Sequence, residues 1–143
     1  MTEKNIHIRW ANANDAEDLL KLNDAFNGVG TSIEEVKDSL ALSDELIAIA
    51  VIDDQAVGFA CAQYFKSFCY RELQGEITEM YITEVARRRG LATLLIAFIE
   101  DKLRSRGVTS VKILTGQENE IAIRTYGKSN YAITEEVMLQ KEL

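Results

Sequence analysis

The chain has 143 residues, 47% hydrophobic and 27% charged, with a net charge of −7. That length fits a single domain, residues 1–143, with ample apolar content for a core. The acidic balance speaks against a general nucleic-acid binder, and the lack of any long apolar run speaks against a transmembrane helix.

The first ten residues, MTEKNIHIRW, are polar and carry no signal-peptide core, so the expected location is cytoplasmic. Cys61 and Cys69 have no metal-ligand spacing and are read as reduced thiols, with Cys61 in the core. Residues 5–10 alternate Ile6, Ile8, Trp10 and predict a strand. Asn14 or Asp15 is placed to cap a helix carrying Leu19, Leu22 and Phe26, ending near Asn27-Gly28. Thr31 or Ser32, with Glu34 or Glu35 three residues on, announces a second helix through a capping box. Its apolar face is Ile33, Val36 and Leu40.

Residues 45–52 and 56–65 read as a β-hairpin turning at Asp53-Asp54-Gln55. An aromatic, irregular stretch with Phe65, Phe68 and Tyr70 follows; it either lines an acceptor pocket or lids the core. Residues 75–82 form the next strand. A long helix runs to about Arg106 on Leu91, Leu94, Leu95, Phe98, Ile99 and Leu103, and Gly107 stops it. Residues 108–115 are a strand, 118–129 a short helix and 131–140 a final extended segment. The order is βααβββαβαβ. The unit 75–115 implies a parallel, right-handed crossover within a mixed sheet carrying helices on both faces.

One stretch violates helix rules. Arg87, Arg88, Arg89 and Gly90 precede Leu91, where an acidic first turn and a Ser, Thr, Asp or Asn cap are expected. A strand leading through an Arg/Gly loop into a helix suits an anion: free N–H groups point outward and glycine admits close approach. A diphosphate would satisfy the amides and neutralise the arginines together. Neither GxxxxGK[ST] nor GxGxxG occurs in the chain.

The loop Arg87-Arg88-Arg89-Gly90-Leu91-Ala92, preceded by the strand ITEMYI, resembles the acyl-coenzyme-A loop [QR]-x-x-G-x-[GA] of the GCN5-related N-acetyltransferase (GNAT) family. "NEIAIRTYGKSNY" (Asn119, Ala122, Tyr126, then Asn130-Tyr131) is similar to that family's N-x-x-A-x-x-x-Y-x-x-x-G-[FY]. Asn130 replaces the family's glycine, and asparagine also tolerates a left-handed helix end. The resemblance covers nearly the whole chain. It implies a GNAT-like α/β fold: a mostly antiparallel sheet with a parallel, splayed strand pair.

It also implies acetyl-CoA as cosubstrate, without a metal. The cofactor-binding positions are Met80, Tyr81, Ile82, Arg87, Arg88, Arg89, Gly90, Leu91, Ala92, Thr93, Asn119 and Tyr126. Tyr126 is the expected general acid for the departing thiolate, and it lies two helical turns from Asn119. The Ile82 N–H is the expected oxyanion donor. Glu79 is the first choice of base and Glu76 the second. Their separation of three predicts opposite strand faces, so that only one would reach the acceptor. His7, the only histidine, is read as structural.

The function expected is N-acetylation of a primary amine on a small cationic molecule, of polyamine or aminoglycoside type, with no nucleic-acid or membrane partner. Two alternatives stand beside it: a protein N-terminus or lysine as acceptor, and a coenzyme-A-binding module without catalysis. A homodimer fits family habit.

Overall fold

The computed structural model describes residues 5–143; residues 1–4, part of the polar N-terminal stretch, lie outside the described residues. Five strands form one sheet in the order β1-β2-β3-β4-β5: β1 (Ile6–Trp10), β2 (Leu46–Ile52), β3 (Gln55–Phe65), β4 (Leu73–Ile82) and β5 (Val108–Ile113). The first four are antiparallel neighbours, and β4 and β5 are parallel. A parallel pair cannot be closed by a tight turn. The connection here is α3 (Leu91–Ser105). The other helices are α1 (Ala16–Phe26), α2 (Ile33–Leu42) and α4 (Glu120–Gly127).

The central strands are apolar on both faces because both are covered. Ala48, Ala50, Ala60 and Ala62 face α3, whose Leu95, Ile96, Ile99 and Leu103 are buried against them and Ile77. Four alanines leave room for the helix to lie close to the sheet. On the opposite face Ile49, Phe59 and Cys61 pack with Leu19 and Leu22 of α1, and Val36 and Leu40 of α2 close that layer. Leu94, expected in the core, is largely exposed, and Ile96 takes its place.

The hairpin turns at Asp53 and Asp54, both with positive φ, and the second capping box is Ser32 with Glu35. Two expectations change. The first helix is not capped by Asn14 or Asp15. Asn12 caps a short 3₁₀ turn, and Asp15 is drawn instead into a bidentate pair with Arg9 at 2.7 and 2.8 Å. A strand arginine facing the sheet end outbids a local cap for that carboxylate. The final segment, expected to be extended, takes no regular secondary structure and pairs with no strand among the described residues. His7 sits exposed on β1, at the far edge of the sheet from β5.

Candidate active site

β4 is longer than its parallel neighbour. Pairing with β5 ends at Ile77 opposite Ile113, whereas β4 continues to Ile82. Beyond that point the backbone groups on the β5 side of β4 have no strand partner. A strand alternates its N–H and C=O groups between its two edges. The Thr83 N–H donates across to Val57 O at 2.8 Å, so Ile82 and Met80 present theirs to the open side. There Arg87 Nε donates to the Ile82 carbonyl at 2.9 Å, which ties the arginine loop to the strand end. The Arg87 guanidinium also lies 5.8 Å from the Tyr81 ring centre.

The start of α3 is as bare as its sequence suggests. Gly90 is the N-cap with φ 76°, in the left-handed region, and no side chain caps the helix. Leu94 makes the first helical bond, to Gly90 O at 3.1 Å. The N–H groups of Leu91, Ala92 and Thr93 therefore lack intrahelical acceptors. Gly90 is needed for its φ, and the space where a Cβ would stand is open. Arg88 is also left-handed. Among the described residues none of Arg87, Arg88 and Arg89 pairs with a carboxylate. The Thr83 hydroxyl, between strand and loop, is buried without a hydrogen-bond partner. Free amides, unpaired guanidinium groups and a cradle with no Cβ fit a diphosphate.

α4 supplies the other motif. Asn119 is its N-cap, its Oδ1 accepting from the Ala122 N–H at 3.2 Å, so that oxygen already has a structural task. Tyr126 lies in the last turn, half-buried against the α3-side core. Its carbonyl accepts from the Ser129 and Tyr131 N–H groups at 3.0 and 3.2 Å. Asn130 has φ 70°, as its glycine-like position requires. The Tyr131 hydroxyl donates to Glu100 at 2.8 Å and pins this corner to α3. Burial, then the charge of Glu79, raises the Tyr126 phenol above its ordinary value. The hydroxyl accordingly keeps its proton.

The two glutamates of β4 overturn the alternation argument. Cys61 pairs with Glu79, but Ala62 pairs with Ile77, which leaves Thr78 as an extra residue. Such a bulge resets the side-chain alternation. Glu79 follows Cys61 onto the α1/α2 face, and Glu76, opposite Gln63, lies on that same face. Burial first, then the Glu76 charge, raises the Glu79 carboxyl. Lys112 of β5 stands 3.6 Å from Glu76.

Glu45 joins them, and nothing in its local sequence marks it. It precedes Ile47 and Ile49 at strand spacing, and both of those belong to the α1/α2-side core. Burial raises its carboxyl, the Cys61 thiol draws it back in part, and Glu79 adds to the rise. Glu45 lines a cleft of about 550 Å³ with Ser39, Ser43, Asp44, Gln63 and Tyr64. The Cys61 thiol is pushed up by burial and the nearby carboxylates, which suits a core residue and not a nucleophile. Tyr64 reaches the cleft, while Phe65, Phe68 and Tyr70 are exposed and form no lid over the core.

A splayed parallel pair, an uncapped glycine helix start and a tyrosine on the following helix define an acetyltransferase architecture. The sequence matches the family model "Acetyltransferase (GNAT) family" over residues 16–131, and the chain belongs to that family. An acetyltransferase of Yersinia enterocolitica is 37% identical over 57 residues, a match that spans 40% of each chain. The structure superposes on the aminoglycoside N-acetyltransferase AAC(6')-Iy in complex with CoA with a TM-score of 0.86, at 20% identity over 99% of this chain and 97% of that one. A ribosomal-protein-alanine N-acetyltransferase from Brucella melitensis gives 0.82 at 16% identity, covering 97% and 100%. These likenesses are of fold. Among the described residues no helix is long and apolar enough to cross a membrane.

Proposed function

We propose that this acetyltransferase moves an acetyl group from acetyl-CoA to a primary amine of a small cationic molecule, of polyamine or aminoglycoside type. The observation that carries the reading is the open edge of β4 at Met80 and Ile82, lying between the uncapped start of α3 and the helix of Tyr126. The amides of Leu91, Ala92 and Thr93, with Arg87, Arg88 and Arg89, hold the diphosphate of the donor. The free backbone groups of Met80 and the Ile82 N–H take its pantetheine arm, the backbone of Tyr81 being turned to Phe59 of β3, and the Ile82 N–H stabilises the oxygen of the attacked carbonyl. Asn119 contributes its unengaged amide nitrogen.

Glu79 removes a proton from the ammonium of the acceptor, directly or through water, so that the nitrogen has a lone pair. The amine then bonds to the thioester carbon, the carbon–sulfur bond breaks, and Tyr126 gives its proton to the departing thiolate. Glu45, Glu76 and Glu79, on one face beside the cleft, favour a polycationic acceptor. The net charge of −7 acts in the same direction.

The test is thiol release from acetyl-CoA against a panel of polyamines, aminoglycosides and alanine-ended peptides. Tyr126→Phe should lower kcat about 100-fold with donor affinity kept, in line with general-acid contributions. The raised Glu79 carboxyl places the acidic limb of the rate profile above the ordinary carboxylate range of ~4.3, and Glu79→Gln should remove that limb. Donor binding with no release for any amine overturns the reading in favour of a binding module. Release with peptides alone moves the acceptor to a protein.

A further inference from the structure

The three arginines before α3 are not alike. Arg88 and Arg89 are exposed, with no side-chain hydrogen bond and no ring contact among the described residues. Arg87 is held twice. Its Nε donates to the Ile82 carbonyl at 2.9 Å, and its guanidinium lies over the Tyr81 ring, 5.8 Å from the ring centre. The ring is itself fixed. Tyr81 pairs with Phe59 of β3, so the two side chains stand together on the α1/α2 face. The Tyr81 ring centre is 5.4 Å from that of Phe26 and 6.3 Å from that of Phe59, and Phe26 meets Phe59 edge-on at 6.1 Å. Three rings from α1, β3 and β4 thus form a closed triangle, with Arg87 over one corner.

The hold leaves the working end of Arg87 free. A guanidinium has several N–H donors in a rigid, planar fork. The Ile82 carbonyl takes the Nε–H, and neither terminal nitrogen has a carboxylate partner among the described residues. Both prongs of the fork are therefore available to an anion, in the end-on arrangement that grips phosphate oxygens in pairs. A long side chain loses rotamer freedom when it binds an anion, and a fork fixed beforehand loses less. The ring supplies part of that fixing, because an aromatic face attracts a cation through its quadrupole. The face does this, and the Tyr81 hydroxyl is not needed for it.

We propose that Tyr81, braced by Phe26, is a positioning residue for the donor: its ring sets the pose in which Arg87 grips the diphosphate of acetyl-CoA. This role rests on the donor site put forward above and adds to it two side chains that touch no part of the donor. Tyr81 acts through its ring, from the sheet face opposite α3, since its backbone is spent on Phe59. Phe26 acts one step further away. It is the last residue of α1, directly before Asn27 and the left-handed Gly28. The end of α1 thereby bears on a diphosphate site that it does not reach.

The experiment is a double-mutant cycle in acetyl-CoA binding, measured by calorimetry on the full chain. Arg87→Ala should weaken binding about 10-fold, the loss expected of a charge-assisted contact. Tyr81→Leu should weaken it about threefold, the scale of a cation over a ring at an exposed site. The double variant should bind no more weakly than Arg87→Ala alone, because the ring acts only through the guanidinium. Tyr81→Phe keeps the ring and should restore wild-type binding. Phe26→Leu leaves Tyr81 in place and should give a smaller loss that also vanishes beside Arg87→Ala, so the cycle can be read even where Tyr81→Leu does not fold. Losses that multiply across the cycle overturn the proposal, since Tyr81 would then act without Arg87. So does a folded Tyr81→Leu variant that binds as wild type, a result that leaves the donor site standing. An Arg87→Ala variant that binds as wild type fails one step earlier: Arg87 then does not hold the donor, and Tyr81 has nothing to position.

Discussion

Two kinds of helix start coexist in this molecule. The turn entering α1 is closed by Asn12, and α2 is closed by Ser32; both have full capping boxes, with Asp15 and Glu35 returning the bond. α3, the longest helix and the one at the centre of the larger core, has none. A capping box is worth about 1 kcal/mol, so its absence from the main core helix is not a matter of low stakes. The ends closed by their own side chains keep fewer free amides for a ligand. The end left open lies between three arginines that have no carboxylate partner among the described residues and the free edge of β4. The contrast separates side chains that close the fold from amides kept for a ligand.

The strongest way to test the closed side is Asp15→Ala. Asp15 is 5% exposed and serves Arg9 and the Asn12 N–H together. Removing it should cost about 2–3 kcal/mol of unfolding free energy, since the charge-assisted pair and the Asn12 N–H bond are lost together; the remaining Arg9, 36% exposed, is in part resolvated. The Arg9 bond is the main reason that the Asp15 carboxyl sits below its ordinary value, with the Asn12 N–H assisting against burial. The stability it supplies is present above the unfolded pKa of ~3.9 and is lost as pH falls through the lower folded value. Urea titrations should therefore show the gap between wild type and variant narrowing below about pH 4. Donor affinity at neutral pH should not move.

The open side is tested by Gly90→Asp beside Gly90→Asn. Both side chains enter open space, and both residues tolerate the left-handed φ better than other types do. They share shape and differ in charge. The aspartate places a negative group where the diphosphate would lie, and a like-charge contact of that kind costs several kcal/mol. Calorimetry should show acetyl-CoA binding weakened about 100-fold by aspartate, or ~2.7 kcal/mol, and far less by asparagine. Equal losses for the two would mean that backbone strain, not charge, governs this end of the helix.

Much of this was legible in the residues. The strand and helix order as far as α4, the Ser32 box, the bare start of α3 and the left-handed Asn130 all follow from local chemistry that the chain states within a few positions. What was hidden depends on pairing between distant segments. Glu76 and Glu79 share a face only because Thr78 bulges against Cys61, and alternation counted along β4 alone gives the opposite answer. Glu45 becomes part of the acidic face only when β2 is laid beside β3. Asp15 looks like a cap until Arg9, six residues earlier, is seen to take it.

The smallest expected effect is the most useful control. Ser32→Ala opens α2 as α3 is already open, and should cost about 1 kcal/mol. Ser32 and Glu35 are exposed on the surface and α2 has no arginine loop before it, so nothing should bind there in compensation. Acetyl-CoA at 100 times its Kd should add about 2.7 kcal/mol to wild type and to Ser32→Ala alike, read as equal increments in unfolding free energy. Unequal increments would show that the two helix starts are coupled, and the open end of α3 could then no longer be treated as a ligand site independent of how the fold is closed.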